Sequence, residues 1–273
     1  MNRTIRLIML IAAVGQIIIA IGFFTQMSWT EIFWPFSYTE NLSFIFMASI
    51  AGAAGASTLW CLYTREDAGF AGIGLDYMAI FGPLGVLSFQ KYSRIPDKDL
   101  ILLIVAGIAG VLFGIVLFFW SWRIPFRQTQ PTPRPVRIAF GIFIVALLLV
   151  GTGLALKTDN IMPWALGDEA SILYGWFFIG AALYFIYGLM RPVWGNAGGQ
   201  LSGFLVYDLV LIVPFLLHFQ NVKPALTINL VIYILVLVGS GVLAFYYLFI
   251  NPATRLSRGR GEAVPQMREE RAV

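Results

Sequence analysis

One cysteine, Cys61, and one histidine, His218, are all that the sequence offers of the residue types that most often hold metals or attack substrates. A lone cysteine excludes an internal disulfide and a thiolate cluster, and a lone histidine excludes a bis-histidine haem within the chain. Charge is nearly as scarce, with Asp, Glu, Lys and Arg making up 12% of 273 residues. There is no P-loop, no HExxH pair and no Ser/His/Asp set. Gly72-x-Gly74 has neither a preceding strand nor the rest of a dinucleotide fingerprint. The sequence therefore implies no cofactor and no metal. The formal charge of +4 follows from the distribution of basic residues described below and is no argument for nucleic acid.

What is present in excess is apolar surface. Hydrophobic residues are 59% of the chain, and the mean hydropathy is +0.81, far from the balance of a soluble domain. Eight apolar runs stand out, at about 7–24, 42–63, 70–89, 101–122, 137–156, 171–190, 200–219 and 227–250. At about 1.5 Å of rise per residue, most can cross ~30 Å of hydrocarbon as helices. They are too long and too uniformly apolar for the alternating strands of a barrel. The first run follows Arg3 and Arg6, as in a signal peptide, but it is long for one and no small-x-small site follows it. It reads as the first transmembrane helix. The fold class predicted is an all-α polytopic membrane protein, with the lipid bilayer as its first partner.

An even number of spans puts both termini on one side. Thirteen of the 18 lysines and arginines fall on that side, which makes it cytoplasmic by the positive-inside rule. The loop at 90–99, with Lys91, Arg94 and Lys98 on the outer side, is a local exception. Without a sorting signal and with short loops, the sequence suggests a bacterial inner membrane. Trp29, Trp34 and Trp164 near the outer boundary, and Trp60, Trp120, Trp122 and Trp194 near the inner one, suggest interfacial belts. The stretch 126–136, PFRQTQPTPRP, is a proline-rich linker that cannot continue a helix. It divides the chain into an N-terminal four-helix unit, 1–125, and a C-terminal one, 137–250. A basic tail, 251–273, has few apolar residues and reads as disordered or resting on the membrane surface.

The two units look alike. An offset of 131 residues matches Arg6 with Arg137, Gly22 with Gly153, Gly72 with Gly203 and Pro83 with Pro214. Slightly smaller offsets match Glu40 with Glu169 and Arg65 with Arg191. Arg, Pro and Glu at boundary positions match by chance less readily than Gly or Leu. Four spans per unit give both units the same orientation, so two parallel repeats about a pseudo-twofold axis along the membrane normal are expected.

Arg137 at the very edge of the fifth run aside, only two charged residues fall inside the predicted spans, Asp76 and Asp208. At the repeat offset Asp76 aligns with Tyr207 and Tyr77 with Asp208, so each unit carries an Asp and a Tyr side by side. An aspartate in a span costs about 2.5–3.5 kcal/mol at the helix centre and less near an end. No Lys or Arg lies in the interior of a span to offset it. Each must be protonated, hydrated, bound to a cation, or hydrogen-bonded by a neighbour such as Tyr77 or Tyr207. Gly82 and Pro83 in the third span, and Pro214 in the seventh, are candidate helix breaks in corresponding positions, a pattern that points to a transport site. The bland alternative is that these aspartates serve only helix packing.

Two functions are open at this level. One is a transporter or permease for a small solute, proton or cation, with Asp76, Tyr77, Tyr207 and Asp208 lining its cavity. The other is a non-catalytic scaffold or accessory subunit that packs on a membrane-protein partner or on a second copy. An enzyme would have to run on Asp76 and Asp208 as an acid/base pair, which their spacing does not suggest. His218 reads as an interface residue, and Gly52-Ala56 and Gly107-Gly110-Gly114 as close helix contacts.

Overall fold

A computed structural model of the chain describes residues 3–34 and 40–256. Eight long helices follow one another: α1 (Arg3–Phe24), α2 (Asn41–Thr64), α3 (Phe70–Tyr92), α4 (Lys98–Trp122), α5 (Arg134–Ala155), α6 (Asp168–Met190), α7 (Trp194–His218) and α8 (Thr227–Phe245). A π-turn, Tyr246–Ile250, continues α8. All eight are long and apolar enough to cross a membrane. The protein is an integral, multi-pass membrane protein of all-helical fold.

The helices pack as two rows of four. In one row α1 lies on α2, α2 on α7 and α7 on α8; in the other α4 lies on α3, α3 on α6 and α6 on α5. Helices α2, α3, α6 and α7 thus form the centre, with α1, α4, α5 and α8 outside them. The outer helices show broad apolar faces, as at Ile11 and Ile18 of α1, Val116 of α4, Leu149 of α5 and Leu235 of α8. Such faces are stable against lipid, where apolar exposure has no penalty. Central α2 and α6 bury far more of their length.

Small residues set the spacing within a row. A Cβ on Gly107 of α4 would lie 2.5 Å from Cα of Gly85 on α3, and one on Gly74 would lie 2.6 Å from the Gly114 carbonyl. The α5–α6 pair uses Gly151 and Gly175 in the same way. Without a hydrophobic drive between helices in lipid, this backbone contact supplies the packing.

Several boundaries differ from the sequence reading. Helix α7 begins at Trp194, not near 200, because the polar turn Asn196–Gln200 is buried against protein instead of facing headgroups. The linker is fastened down. Its Thr132 N–H donates to the Pro192 carbonyl, while Gln130 and Gln128 carbonyls accept from Trp194 and Gly195 N–H. Pro133 and Pro135 lead into α5, since proline suits a helix's first turn. Pro83 and Pro214 do not break their helices: α3 and α7 run straight through both, and Gly82 sits in ordinary contact with Val111. Proline in a membrane helix is tolerated where neighbours satisfy the freed carbonyl.

The tryptophans are also not a uniform belt. Trp34, Trp60, Trp164 and Trp194 are buried inside the protein. Trp164 donates to Ser43 Oγ at 3.0 Å, and Trp60 meets Trp194 edge-on at 6.3 Å. Aromatic area at a helix end packs on other aromatic area when a second helix is near. At the exposed boundary opposite the termini, Lys157 pairs with Asp168 at 2.8 Å and Lys91 with Glu169 at 3.4 Å. Part of the basic loop at 90–99 is therefore matched by acid. His218 Nε2 lies 3.0 Å from the Pro163 carbonyl and ties α7 to the α5–α6 loop. Residues 257–273 of the basic tail lie outside the described residues.

Candidate functional site

Between the two rows, on the side of α5 and α8, lies a cavity of about 440 Å³. Helices α2, α3, α5, α6, α7 and α8 all contribute to its wall. Its volume is within the ~300–1,000 Å³ usual for small-ligand pockets.

Both intramembrane aspartates line this cavity. Asp76 comes from the second turn of α3, where Gly180 of α6 leaves room for it: a Cβ there would sit 2.5 Å from Asp76 Oδ1. Asp208 lies midway along α7 and is 4% exposed. Ser240 Oγ of α8 donates to its Oδ1 at 3.0 Å. Its Oδ2 is buried and accepts from no protein donor among the described residues. No Lys, Arg or His is among the cavity's described lining residues. Two acids thus face the space without a basic partner on its wall.

Tyr207 lines the same cavity and exchanges a short hydrogen bond with Tyr233 of α8. Tyr77 does not line it. One residue along α3 from Asp76, its side chain turns toward the α1–α4 side, accepts a hydrogen bond from Gln16 and packs against Phe81 and Phe113. Adjacent residues on a helix point about 100° apart, and on α3 that turn carries Tyr77 away from the pocket that Asp76 lines. Pro83 and Pro214 are likewise absent from the wall.

Other wall residues escaped the sequence reading. Gln200 of α7 donates to the Tyr184 carbonyl at 2.5 Å, and its Oε1 is buried without a donor. Ser57 of α2 donates to the Gly199 carbonyl at 3.0 Å. At the end of the cavity away from the termini, Asn229 Nδ2 donates to the Asn160 and Ile161 carbonyls, so the α5–α6 loop is drawn over the opening. The rest of the wall is apolar and aromatic, with Phe143, Phe177, Phe178, Phe185 and Phe204 prominent. The asparagine pair was detectable only as polar residues flanking spans.

The cavity is not closed on its flank. Ile232 and Val236 of α8 line it yet are 54% and 44% exposed, and Ala146 of α5 is exposed as well. Helices α5 and α8 make no extensive contact with one another. The gap between them opens sideways, at the depth where bilayer hydrocarbon lies.

The arrangement gives two carboxylates with free acceptor capacity, a small set of hydroxyls and amides, and a long apolar surround, all inside a membrane protein. Such a site can bind and neutralise positive charge. Comparison of the chain with known protein families, with curated proteins and with solved structures found no match.

Proposed function

We propose that the protein is a transporter or permease for a small solute or cation, with Asp76 and Asp208 as its binding carboxylates. One observation carries this reading: two acids from different four-helix units both line a single intramembrane cavity. A packing role for each would instead bury them at separate interfaces. Tyr207 belongs to the same site as a hydroxyl beside Asp208. Tyr77 takes the counterpart position on the α1–α4 side.

The parallel repeat is part of the proposal. In its favour, α1–α2 and α5–α6 pack alike, α3 adjoins α4 as α7 adjoins α8, though far more closely, and the central contacts α2–α7 and α3–α6 exchange under the same operation. Arg65 and Arg191 each cap the C-terminus of the second helix of their unit. The excess of basic residues beside the termini supports a cytoplasmic placement for both, in a bacterial inner membrane.

The test is flux in proteoliposomes carrying the full chain, with entrapped dyes for protons and Na⁺ and with radiolabelled organic cations outside. Wild-type protein should move at least one of these down an imposed gradient. The Asp76→Asn, Asp208→Asn double variant should lose that flux. Vesicles as tight as protein-free ones, or undiminished flux in the double variant, would overturn the reading.

A further inference from the structure

We infer that the cavity is a binding site for a lipophilic organic cation, which joins a positive centre to an apolar body and enters from the bilayer between α5 and α8. The inference deepens the transport reading and rests on it for what the site is used for. Its binding chemistry stands on the cavity alone.

Sign of charge comes first. Asp76 and Asp208 are the ionisable acids on the wall, and no basic side chain accompanies them among the described lining residues. Asp208 keeps one carboxylate oxygen without a protein donor, and Gln200 keeps its amide oxygen in the same condition. Unmet acceptors in a low-dielectric space favour a ligand that brings donors or positive charge.

The character of the surround decides between an inorganic and an organic cation. A small hard ion takes six or more oxygens at short range. Here the side-chain oxygens are dispersed over α2, α3, α6, α7, α8 and the α5–α6 loop among phenylalanines and aliphatic side chains. An alkylammonium or arylphosphonium has the opposite needs: one carboxylate, aromatic faces for its charge, and apolar walls for its body. The rings of Phe143, Phe185, Phe204 and Tyr233 supply those faces, and cation–π contact adds most where water is excluded. A volume of about 440 Å³ admits a body of several rings or a branched chain.

The route follows from the exposed flank. Ile232, Val236 and Ala146 are at once cavity wall and outer surface, so the opening is apolar and faces lipid. A hydrated ion would meet hydrocarbon there. An amphiphilic cation already dissolved in the leaflet would not. The other end is roofed by the Asn229 bridge to the α5–α6 loop.

The experiment uses tetraphenylphosphonium as the probe and tetraphenylborate, an anion of the same shape, as its control. Saturable binding is measured by equilibrium dialysis on the full chain in lipid nanodiscs, with empty nanodiscs subtracted. Wild-type protein should bind the phosphonium saturably and the borate not at all. Asp76→Asn and Asp208→Asn should each weaken phosphonium binding at least tenfold, with monodisperse elution and unchanged helical circular dichroism confirming the fold. Val236→Trp fills the mouth from an exposed position, and in a rapid-filtration time course should slow phosphonium association at least fivefold. No saturable binding, equal binding of the borate, or unaltered affinity in both Asn variants would overturn the inference. Absent phosphonium binding beside aspartate-dependent proton or Na⁺ flux would overturn the substrate class and leave transport standing. Aspartate-dependent binding without any flux would do the reverse.

Discussion

Glu66 shows how much a single side chain organises outside the cavity. It is fully buried beyond the end of α2, where its two oxygens accept from Gln128 N–H at 2.7 Å and Arg127 N–H at 2.9 Å. It also fills the space over Gly195, whose Cβ would lie 2.7 Å from its carboxyl carbon. One carboxylate therefore joins the α2–α3 turn, the linker and the start of α7. Burial pushes its carboxyl above the ordinary glutamate value; the N–H groups of Arg127 and Gln128 and the Arg127 charge oppose this, and Asp67 adds to it. The folded chain then holds this proton more firmly than the unfolded chain does. Its contribution to stability is complete below the unfolded value near 4.5 and declines as pH rises through the higher native value. Thermal unfolding in detergent should show that decline in wild-type protein, and Glu66→Gln should flatten it; equal slopes would assign the effect elsewhere. Glu66→Ala removes both acceptors from the half-buried Arg127 and Gln128 N–H groups, at about 1 kcal/mol each where water can replace them. Within the cavity, Gly180→Ala places a methyl group against the Asp76 carboxylate. Because the carboxylate is the end of a movable side chain, the fold should hold while phosphonium affinity falls. An unchanged affinity would mean that Asp76 does not contact the ligand. The sequence marks Asp76 and Asp208 plainly, since an acid in a span is costly. It hides Glu66, because an acid between spans is ordinary, and it hides Ser240, Gln200 and Tyr233, because uncharged polar groups in a span cost too little to stand out.

At the scale of the helix, the spans were legible and their contacts were not. Twenty apolar residues in a row announce a crossing, and the eight runs in the sequence each became one helix. Hydropathy says nothing about whether lipid or protein covers a given face. For that reason the sequence starts the seventh span only near 200 and reads Trp60 and Trp194 as a belt, when Asn196, Gln200 and both tryptophans are packed against protein. Glycine spacing was a better guide. Gly107 and Gly114 do lie where α4 meets α3, and the backbones are so close that no side chain fits between them. Gly107→Leu must therefore push α3 and α4 apart, a change that overpacking data place at 1–3 kcal/mol or more. Gly141 of α5 has nothing within 4 Å of the place its Cβ would occupy, so Gly141→Leu should be close to neutral. Melting of the two variants in matched detergent decides the matter: equal midpoints would show that the α3–α4 contact contributes nothing beyond generic helix packing.

Over the whole molecule, the two proposed repeats differ at the place where their likeness would matter most. On the α5–α8 side the space between the rows is open, and on the α1–α4 side Tyr77, Phe81 and Phe113 stand together with Gln16 hydrogen-bonded to the tyrosine. On α3 the acid faces the open side and the tyrosine the filled one, whereas on α7 Tyr207 and Asp208 both line the open side. What joins the units is not the linker but the central contacts, α2 on α7 and α3 on α6, reinforced within a row by Ser57 on the Gly199 carbonyl and across the rows by Phe46 against Tyr174 at 4.6 Å. Those contacts run the length of the spans. The linker adds Glu66's two bonds, Phe126 packed on Tyr187 and a short run of backbone pairing at the surface. A chain cut after Thr129, in an exposed stretch, should therefore survive as two co-expressed halves. A tag on residues 1–129 should retrieve 130–273 from mild detergent in equal amount, and the pair should still bind tetraphenylphosphonium, because every wall helix is present. Recovery of the tagged half alone would show that the units depend on their covalent connection. In that case the interface between them, and the cavity it encloses, would have to be held by the strand of linker packed over α7.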